Sequence, residues 1–280
     1  MIKCVKNINK NTNINTNTNI NTNTNINTNI LYYIIMSYNT IGLQKQDYIL
    51  LIFNCVKYKH KALKQKATWL PLLTPRLLYF HVIGDPNLEQ DFLINAEQNQ
   101  IWIKVDDDYN SLPKKVINAY EAISKIYHFK YIFKTDDDQM VSPVRFFDTL
   151  INILDAKYND PVFSNRVHYG GHIVDVKQSY NSEYCKIHPE LPTDLIVKKT
   201  QYCSGRFYLL SHNVIDFLLL KKNDISKEFL EDYAIGFHMP INAFKDKIMN
   251  IDTSKYFKDF DISEDGKMRP YQYQSSVVDN

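Results

Sequence analysis

The chain has 280 residues and a mass of 33.0 kDa, and its 44% hydrophobic and 13% aromatic residues are enough to build one well-buried domain. Its 33 Lys and Arg against 31 Asp and Glu leave a net charge of +2, which argues against a protein that binds nucleic acid electrostatically. The 7 Gly form no dinucleotide-binding or phosphate-binding loop, and the 4 Cys lack the Cys-x-x-Cys spacing of zinc ribbons and thioredoxin-like sites.

The first 36 residues carry a polar repeat. Every odd position from Asn7 to Asn29 is Asn, with Ile, Thr or Lys between, and this low complexity predicts a disordered tract over residues 1–36. Met36 follows the tract and is a candidate start of the functional chain. The apolar run Ile30–Met36 is far shorter than the roughly 20 residues of a spanning helix, and no signal-peptide pattern is present. We therefore expect a soluble protein without a membrane span.

From Met36 onward, apolar runs alternate with helical patterns. The runs predict the strands Tyr48–Val56, Leu77–Ile83, Ile101–Val105, Tyr131–Thr135 and Phe207–Leu210, with further strands within Phe163–Val176. The helical patterns predict helices over Lys57–Trp69, Asn87–Asn99, a stretch capped by Ser111, a stretch from Ser142 to about Lys157, Asn213–Leu220 capped by Ser211, and Phe229–Phe244. Ser179–Thr200 is expected to be a loop and residues 261–280 a polar tail. The alternation predicts one α/β domain over residues 37–260, with a mostly parallel central sheet flanked by helices.

Two acidic triplets follow predicted strands, and ligands in open α/β sheets bind at the carboxyl ends of strands. Asp136-Asp137-Asp138 follows Tyr131–Thr135, and adjacent carboxylates are costly unless they are solvated or hold a cation such as Mg²⁺ or Mn²⁺. A solvated acidic turn is the alternative. Asp106-Asp107-Asp108 precedes a helix start, where carboxylates are favourable for structural reasons, so position favours the second triplet as the metal site.

Other candidates are weaker on local sequence alone. Asp232 lies beside Glu231 at a predicted helix start, so it suits a general base and equally an ordinary first-turn acid. For Lys66 the alternative interpretation is an exposed cation, and for Gly205 it is a plain tight turn. Cys185 and Cys203 are candidates for a disulfide only in an oxidising compartment, because spacing alone does not pair them.

The order of several short blocks along the chain is more specific than any one of them. The blocks are Lys64–Trp69, Leu78–Gly84, Asp107–Lys115, Phe133–Asp138, Tyr202–Ser211 and Glu231–Gly236. In this order the sequence resembles the β-1,3-galactosyltransferase family, glycosyltransferase family 31, which includes the β-1,3-N-acetylglucosaminyltransferases and the Fringe enzymes. Phe133–Asp138 is similar to its Lys-x-Asp-Asp-Asp motif, Tyr202–Ser211 to Tyr-Cys-Ser-Gly-x-x-Tyr-x-x-Ser, and Glu231–Gly236 to Glu-Asp-Val-x-x-Gly.

The resemblance implies a GT-A-type nucleotide-sugar-binding fold and an inverting, metal-dependent transfer. The donor would be a UDP-linked hexose or N-acetylhexosamine, the acceptor a glycan or glycoconjugate hydroxyl, and the linkage β-1,3. The cofactor would be Mn²⁺, with Mg²⁺ possible. Neither nucleic acid nor a membrane span is expected. Since the family's usual membrane anchor is missing here, we expect an intracellular location rather than the Golgi lumen.

The resemblance also implies roles for particular residues. Asp138 would bind the metal together with Asp136, while Asp136 and Asp137 would contact the ribose and support the metal site. Asp232 would be the base that takes the proton of the acceptor hydroxyl. The remaining residues implied on the donor side are Lys66, where the family has an Arg facing the nucleotide, together with Asp107 and Lys115.

Two departures from the family pattern keep alternatives open. Lys66 lacks the planar two-pronged contact of Arg, which leaves the nucleotide affinity and identity open. His238 is the only His beyond Asp232 and is too near it in sequence to complete a metal shell, which leaves Asp138, diphosphate and water. The alternatives are an inactive carbohydrate-binding or structural protein on a degenerate transferase fold, and a Ca²⁺-binding interaction module.

Overall fold

An eight-stranded sheet forms the centre of the protein in the computed structural model, which describes residues 43–160, 166–240, 248–262 and 268–269. The strands along the chain are β1 (Gln44–Lys45), β2 (Tyr48–Phe53), β3 (Leu77–Gly84), β4 (Phe92–Asn95), β5 (Gln100–Ile103), β6 (Tyr127–His128), β7 (Tyr131–Asp136), β8 (Gln139–Val141), β9 (Tyr169–Val176), β10 (Tyr180–Asn181), β11 (Ile196–Val197), β12 (Thr200–Ser211), β13 (Met249–Asn250), β14 (Phe257–Asp259), β15 (Asp261–Ile262) and β16 (Met268–Arg269). The order within the central sheet is β13-β9-β12-β7-β2-β3-β5-β4. Short ladders pair β1 with β6, β10 with β11, β8 with β14, and β15 with β16.

The central sheet is mostly parallel. Its parallel ladders join β7 to β2, β2 to β3, β3 to β5 and β9 to β13, whereas β12 is antiparallel to both its neighbours and β4 is antiparallel to β5. Phe53 pairs with Val82 on one side and with Asp136 on the other, so the carboxyl ends of β2, β3 and β7 lie at one edge. The predicted α/β class with a mostly parallel central sheet is confirmed.

Helices pack on both faces of this sheet. Their bounds are α1 (Lys59–Ala67), α2 (Leu112–Ile126), α3 (Phe146–Tyr158), α4 (His212–Leu220), α5 (Lys222–Ile225) and α6 (Glu231–His238), with 3₁₀ turns at Val56–Tyr58, Leu70–Leu72, Tyr184–Lys186 and Thr253–Lys255. Because side chains alternate along a strand, β2 serves two cores. Ile49 lies in the same cluster as Ile123 of α2, whereas Leu50 lies in the cluster of Ile151 of α3.

The predicted helix over Asn87–Asn99 is wrong. This segment forms β4 and makes an antiparallel hairpin with β5. Phe92 and Ile94 pack against the core while Leu93 between them is 44% exposed, which is the period of two of a strand at a sheet edge. Asn99 has a φ of 52°, a left-handed conformation that Asn tolerates, and it lies directly before β5.

Other elements differ from the prediction in their bounds. The strand predicted at Phe207–Leu210 is the second half of the longer β12, and the loop predicted at Ser179–Thr200 contains β10 and β11. The helix predicted at Phe229–Phe244 is α6, which begins at Glu231 and ends at His238; residues 241–247 lie outside the described residues.

Neither predicted serine cap makes the expected side-chain hydrogen bond. Ser111 already has helical backbone angles, and its backbone N–H donates to Asp108 Oδ1 at 2.8 Å. The hydroxyl of Ser211 instead contacts Nδ1 of His168 at 2.9 Å. Both serines therefore lie at the predicted helix starts, but each hydrogen-bonds to a residue outside the helix that it was expected to cap.

The predictions for the two ends of the chain fall largely outside the described residues. These are the disordered tract at residues 1–36, the start at Met36, and most of the tail at residues 261–280. Cys185 and Cys203 are free thiols, so the open question of their pairing is answered against a disulfide. Within the described ranges, none of the helices has both the length and the apolar character needed to cross a membrane.

Candidate active site

A buried lysine organises the acidic groups at the end of β7. Lys134 is 1% exposed, and its Nζ donates to Asp136 Oδ1 at 2.7 Å, to Glu231 Oε2 at 2.9 Å and to the Gly205 carbonyl at 2.8 Å. The hydroxyl of Tyr208 donates to the other oxygen of Glu231. A buried charge is tolerated only when it is paired and hydrogen-bonded, and all three donors of this ammonium have partners. Lys134 thereby joins β7, β12 and α6 at one point.

Asp232 lies in the same cluster, on the first turn of α6. Its Oδ2 accepts from the Gly205 N–H and its Oδ1 from the N–H of Tyr233, both at 2.8 Å. A Cβ atom placed on Gly205 would lie 3.3 Å from Lys134 Nζ, 3.4 Å from Asp232 Oδ2 and 3.6 Å from Asp136 Oδ2. The absence of a side chain at Gly205 thus allows Asp136 and Asp232 to face one common space. The structure brings these two predicted site residues together.

Burial dominates the electrostatics of the cluster. It raises the pKa of Asp136 to about 6 against the opposing effect of Lys134, and it raises the pKa of Asp137 to about 7 against that of Lys61. Burial also raises the pKa values of Glu231 and Asp232. Burial alone would lower the pKa of Lys134, but the carboxylates of Asp136 and Glu231 raise it instead, so this lysine is charged.

Asp136 and Asp138 have the chemistry of a divalent-metal site. Both are partly exposed at the end of β7, and carboxylate oxygens are the donors that Mg²⁺ and Mn²⁺ prefer. Asp138 Oδ1 also accepts from the Gln139 amide at 2.8 Å, whereas Asp137 is buried, with Lys61 Nζ at 3.6 Å. Among the described residues no group of three His, Cys, Asp or Glu side chains is placed to hold a metal. The donor set fits an ion that receives its remaining ligands from substrate and water.

Asp107 and Lys115 form an ion pair that ties several strand ends together. Lys115 Nζ lies 2.6 Å from Asp107 Oδ1 and donates to the Asn54 carbonyl at 2.9 Å. Asp107 also accepts from the backbone N–H groups of Val56 at 2.7 Å and Gly84 at 2.9 Å. Both oxygens of Asp107 therefore hold the segments that follow β2 and end β3.

Lys66 lies apart from the acidic cluster, in a cavity of about 300 Å³ between α1, β3 and β5. Asn54 and Cys55, directly after β2, also line this cavity, and Trp102 lines it from β5. Lys66 Nζ donates to the Gln98 carbonyl at 2.7 Å, and partial burial lowers its pKa. Since Phe53 pairs with Asp136, the carboxyl end of β2 lies between this cavity and the acidic cluster.

Two central members of the cluster, Lys134 and Glu231, have no role predicted from the sequence. Lys134 is a charged residue in the otherwise apolar run YIFKT, and such a residue in a buried strand signals a buried partner. Glu231 is 5% exposed and bonds to Lys134 and Tyr208, while Tyr208 shares a 2.7 Å hydrogen bond with Tyr120. The two adjacent acids at the start of α6 therefore differ in burial: Glu231 is buried, whereas Asp232 is partly exposed.

Part of the chain matches a known protein family. A family model described as Galactosyltransferase matches residues 63–247, which is more than half of the chain. The matched range contains all the predicted site residues, which are Lys66, Asp107, Lys115, Asp136, Asp137, Asp138 and Asp232. No curated protein matches the sequence significantly.

Two solved structures of glycosyltransferases also match this chain. The galactosyltransferase LgtC, in complex with donor and acceptor sugar analogues, matches with a TM-score of 0.37 and 13% identity, over 74% of this chain and 73% of that chain. The glycosyltransferase GlyE of Streptococcus pneumoniae TIGR4 matches with a TM-score of 0.35 and 12% identity, over 76% of this chain and 46% of that chain.

Proposed function

Because the chain belongs to the galactosyltransferase family and is a glycosyltransferase, we propose that its mostly parallel α/β sheet is of the GT-A type and that it performs an inverting, metal-dependent transfer. The donor is a UDP-linked hexose or N-acetylhexosamine, the acceptor is a hydroxyl of a glycan or glycoconjugate, and the product linkage is β-1,3. The proposal depends on the proximity of Asp136 and Asp232 at Gly205. In it, Asp136 binds the metal and Asp232 faces the acceptor.

Asp232 acts as the general base. Each of its oxygens accepts one backbone N–H, which fixes the carboxylate and leaves lone pairs for an acceptor hydroxyl. Burial raises its pKa and so increases its basicity. As the acceptor oxygen attacks the anomeric carbon, its proton passes to Asp232 and the bond to UDP breaks on the opposite side, which inverts the configuration.

Asp138 and Asp136 hold the divalent ion, for which we propose Mn²⁺, with Mg²⁺ as the alternative. When bound, the ion supplies Lewis-acid stabilisation of the charge on the departing diphosphate. Lys134 fixes the orientation of Asp136 through its 2.7 Å ion pair. Asp137 contacts the ribose and supports the site from its buried position beside Lys61.

The nucleoside occupies the cavity that Lys66 lines. That cavity follows the end of β2, and the acidic cluster follows the adjacent end of β7, so a nucleoside diphosphate can span the two. Asp107 and Lys115 line the donor side through the segment after β2, because both bond to its backbone.

The test is the turnover of UDP-galactose, UDP-glucose, UDP-N-acetylglucosamine and UDP-N-acetylgalactosamine with and without Mn²⁺. We expect release of UDP from at least one donor, dependent on the metal and lost in Asp138→Ala. Absence of both turnover and UDP binding, with no effect of Asp138→Ala, would instead support the inactive carbohydrate-binding protein. Stabilisation by Ca²⁺ without any effect of UDP would support the calcium-binding module.

A further inference from the structure

Gln139, the residue directly after the second acidic triplet, is buried between two carboxylates. Its Nε2 donates to Asp138 Oδ1 at 2.8 Å and to Asp259 Oδ1 at 2.7 Å, and the residue is 3% exposed. Because ionised carboxylates only accept hydrogen bonds, the amide must face them with its NH₂ group, and both hydrogens of that group are used. One amide thus holds the proposed metal-binding carboxylate and a second carboxylate from a distant part of the chain.

The pairing of β8 with β14 brings Asp259 to Gln139. The antiparallel register places Asp259 opposite Gln139 and Phe257 opposite Val141, and residues directly opposite each other share one face of the ladder. Phe257 is 1% exposed, and its ring lies 4.8 Å from the ring of Phe207 in the core. A slip of one residue would turn Phe257 out of the core, so the burial of this ring fixes the position of Asp259.

Hydrogen bonds to the backbone hold the same segment from two further sides. The Phe260 N–H, directly after β14, donates to the Asp138 carbonyl at 2.8 Å. The Gln139 carbonyl accepts from Nε2 of Gln65 at 3.1 Å, and Gln65 is a buried residue of α1. Since the backbone that carries Asp138 and Gln139 is fixed, the two carboxylates set the direction of the Gln139 amide.

An arginine balances the charge of the second carboxylate. Arg206 of β12 donates from Nη2 to Asp259 Oδ2 at 2.7 Å, while Asp259 Oδ1 accepts from Gln139. Both oxygens of Asp259 therefore have partners within the protein, whereas Asp138 is partly exposed. A carboxylate that is paired with a guanidinium is a strong and fixed acceptor, which suits Asp259 to hold the amide and leaves Asp138 open to an ion.

We propose that Gln139 is a positioning residue for the metal-binding carboxylate of Asp138, and that Asp259 and Arg206 hold its amide in the required direction. The inference rests on the proposed function, because it concerns the ion that Asp138 would bind. Hydrogen-bond partners that orient a ligating carboxylate without touching the ion are typically worth about 10- to 100-fold in metal affinity. The family match ends at residue 247, so Asp259 and the rest of β14 lie beyond it.

Calorimetric titration of Mn²⁺ in the presence of saturating UDP tests the proposal. Gln139→Met keeps the length of the side chain and removes the donor, so it should weaken Mn²⁺ binding about tenfold. Arg206→Ala and Asp259→Ala are combined in one variant, because either change alone leaves an unpaired charge near Asp138. The combined variant should weaken Mn²⁺ binding about threefold and should cause no further loss when added to Gln139→Met, since it acts through the same amide. Lys258→Ala changes an exposed neighbour of Asp259 on β14 and is the matched control, with Mn²⁺ affinity within about twofold of wild type.

Thermal unfolding of the same variants with a chelator present separates positioning from a purely structural role. A structural role would lower the unfolding temperature and leave Mn²⁺ affinity unchanged. Unchanged Mn²⁺ affinity in Gln139→Met would therefore overturn the proposal, and so would additive losses when all three changes are combined. A larger loss in the Arg206→Ala and Asp259→Ala variant than in Gln139→Met would make Asp259 itself a ligand and also overturn it.

The outcome in wild type distinguishes this proposal from the proposed function. Absence of Mn²⁺ binding in wild type would overturn the proposed metal site together with the role of Gln139. Mn²⁺ binding that is equal in wild type and Gln139→Met would overturn only the role of Gln139. Where Gln139→Met does not fold, the variant that combines Arg206→Ala and Asp259→Ala decides, and unchanged Mn²⁺ affinity there would contradict the proposal.

Discussion

The two acidic triplets have the same composition and both follow a strand, yet the structure uses them differently. Asp107 of the first triplet is saturated by two backbone N–H groups and by Lys115. In the second triplet, Asp136 and Asp138 remain partly exposed, and Asp136 faces the space that it shares with Asp232. The difference lies in the number of hydrogen-bond partners around each carboxylate. A carboxylate whose oxygens are all occupied by the protein stabilises the fold, whereas one that remains partly exposed is available to a ligand.

The largest expected effect tests the chemical side of this comparison. Asp232→Asn should lower kcat for transfer about 1,000-fold, because the amide cannot accept the hydroxyl proton while it can still accept one backbone N–H. UDP binding should stay within about twofold, since the substitution leaves the donor side intact. Transfer rates and UDP titrations check this, with Asp106→Asn in the first triplet as the control. Wild-type transfer by Asp232→Asn would remove this residue from the mechanism.

The ion pair of Asp107 with Lys115 predicts a loss of stability when Asp107 is replaced. Asp107→Ala leaves Lys115, whose side chain is 4% exposed, without its counter-ion and should lower the free energy of unfolding by about 3 kcal/mol. Asp106 is exposed, so Asp106→Ala should change it by less than about 0.5 kcal/mol. Denaturant unfolding of both variants measures the difference. Equal stability of the two would show that the first triplet is a plain surface turn.

The raised acid pKa values predict how stability depends on pH in the metal-free protein. Asp137 has a pKa of about 7 in the folded chain, against the ordinary aspartate value of 3.8, so the folded state binds more protons between these values. Stability should therefore fall as the pH rises from about 4 to 7. Asp137→Asn should reduce this fall, as measured by thermal unfolding with a chelator present. An identical pH slope in the variant would refute the assignment.

The smallest effect concerns the nucleoside cavity. Lys66→Ala should weaken UDP binding about threefold, because a partly exposed cation is screened by solvent and contributes modestly to binding an anion. Lys66→Arg should bind at least as well as wild type, since a guanidinium adds a planar contact. Lys64→Ala on the same helix is the control, and calorimetric titration with UDP is the measurement. Stronger weakening by Lys64→Ala than by Lys66→Ala would place the nucleoside elsewhere.

The sequence was most informative where one local pattern decides the structure. The continuous apolar runs of β2 and β7 predicted buried strands, and the acids after β7 fell at the strand ends as expected. The edge strand β4 was mistaken for a helix because its period of two covers only four residues. The roles of Lys134 and Glu231 depend on contacts between residues 97 positions apart, which no local pattern contains.

The most direct test of the account is the calorimetric titration of UDP in the presence and absence of Mn²⁺ for wild type, Asp138→Ala and Asp106→Ala. We predict that Mn²⁺ strengthens UDP binding in wild type and in Asp106→Ala, and that Asp138→Ala loses this enhancement. Retention of the enhancement in Asp138→Ala, or its loss in Asp106→Ala, would contradict the placement of the metal and diphosphate at the second triplet.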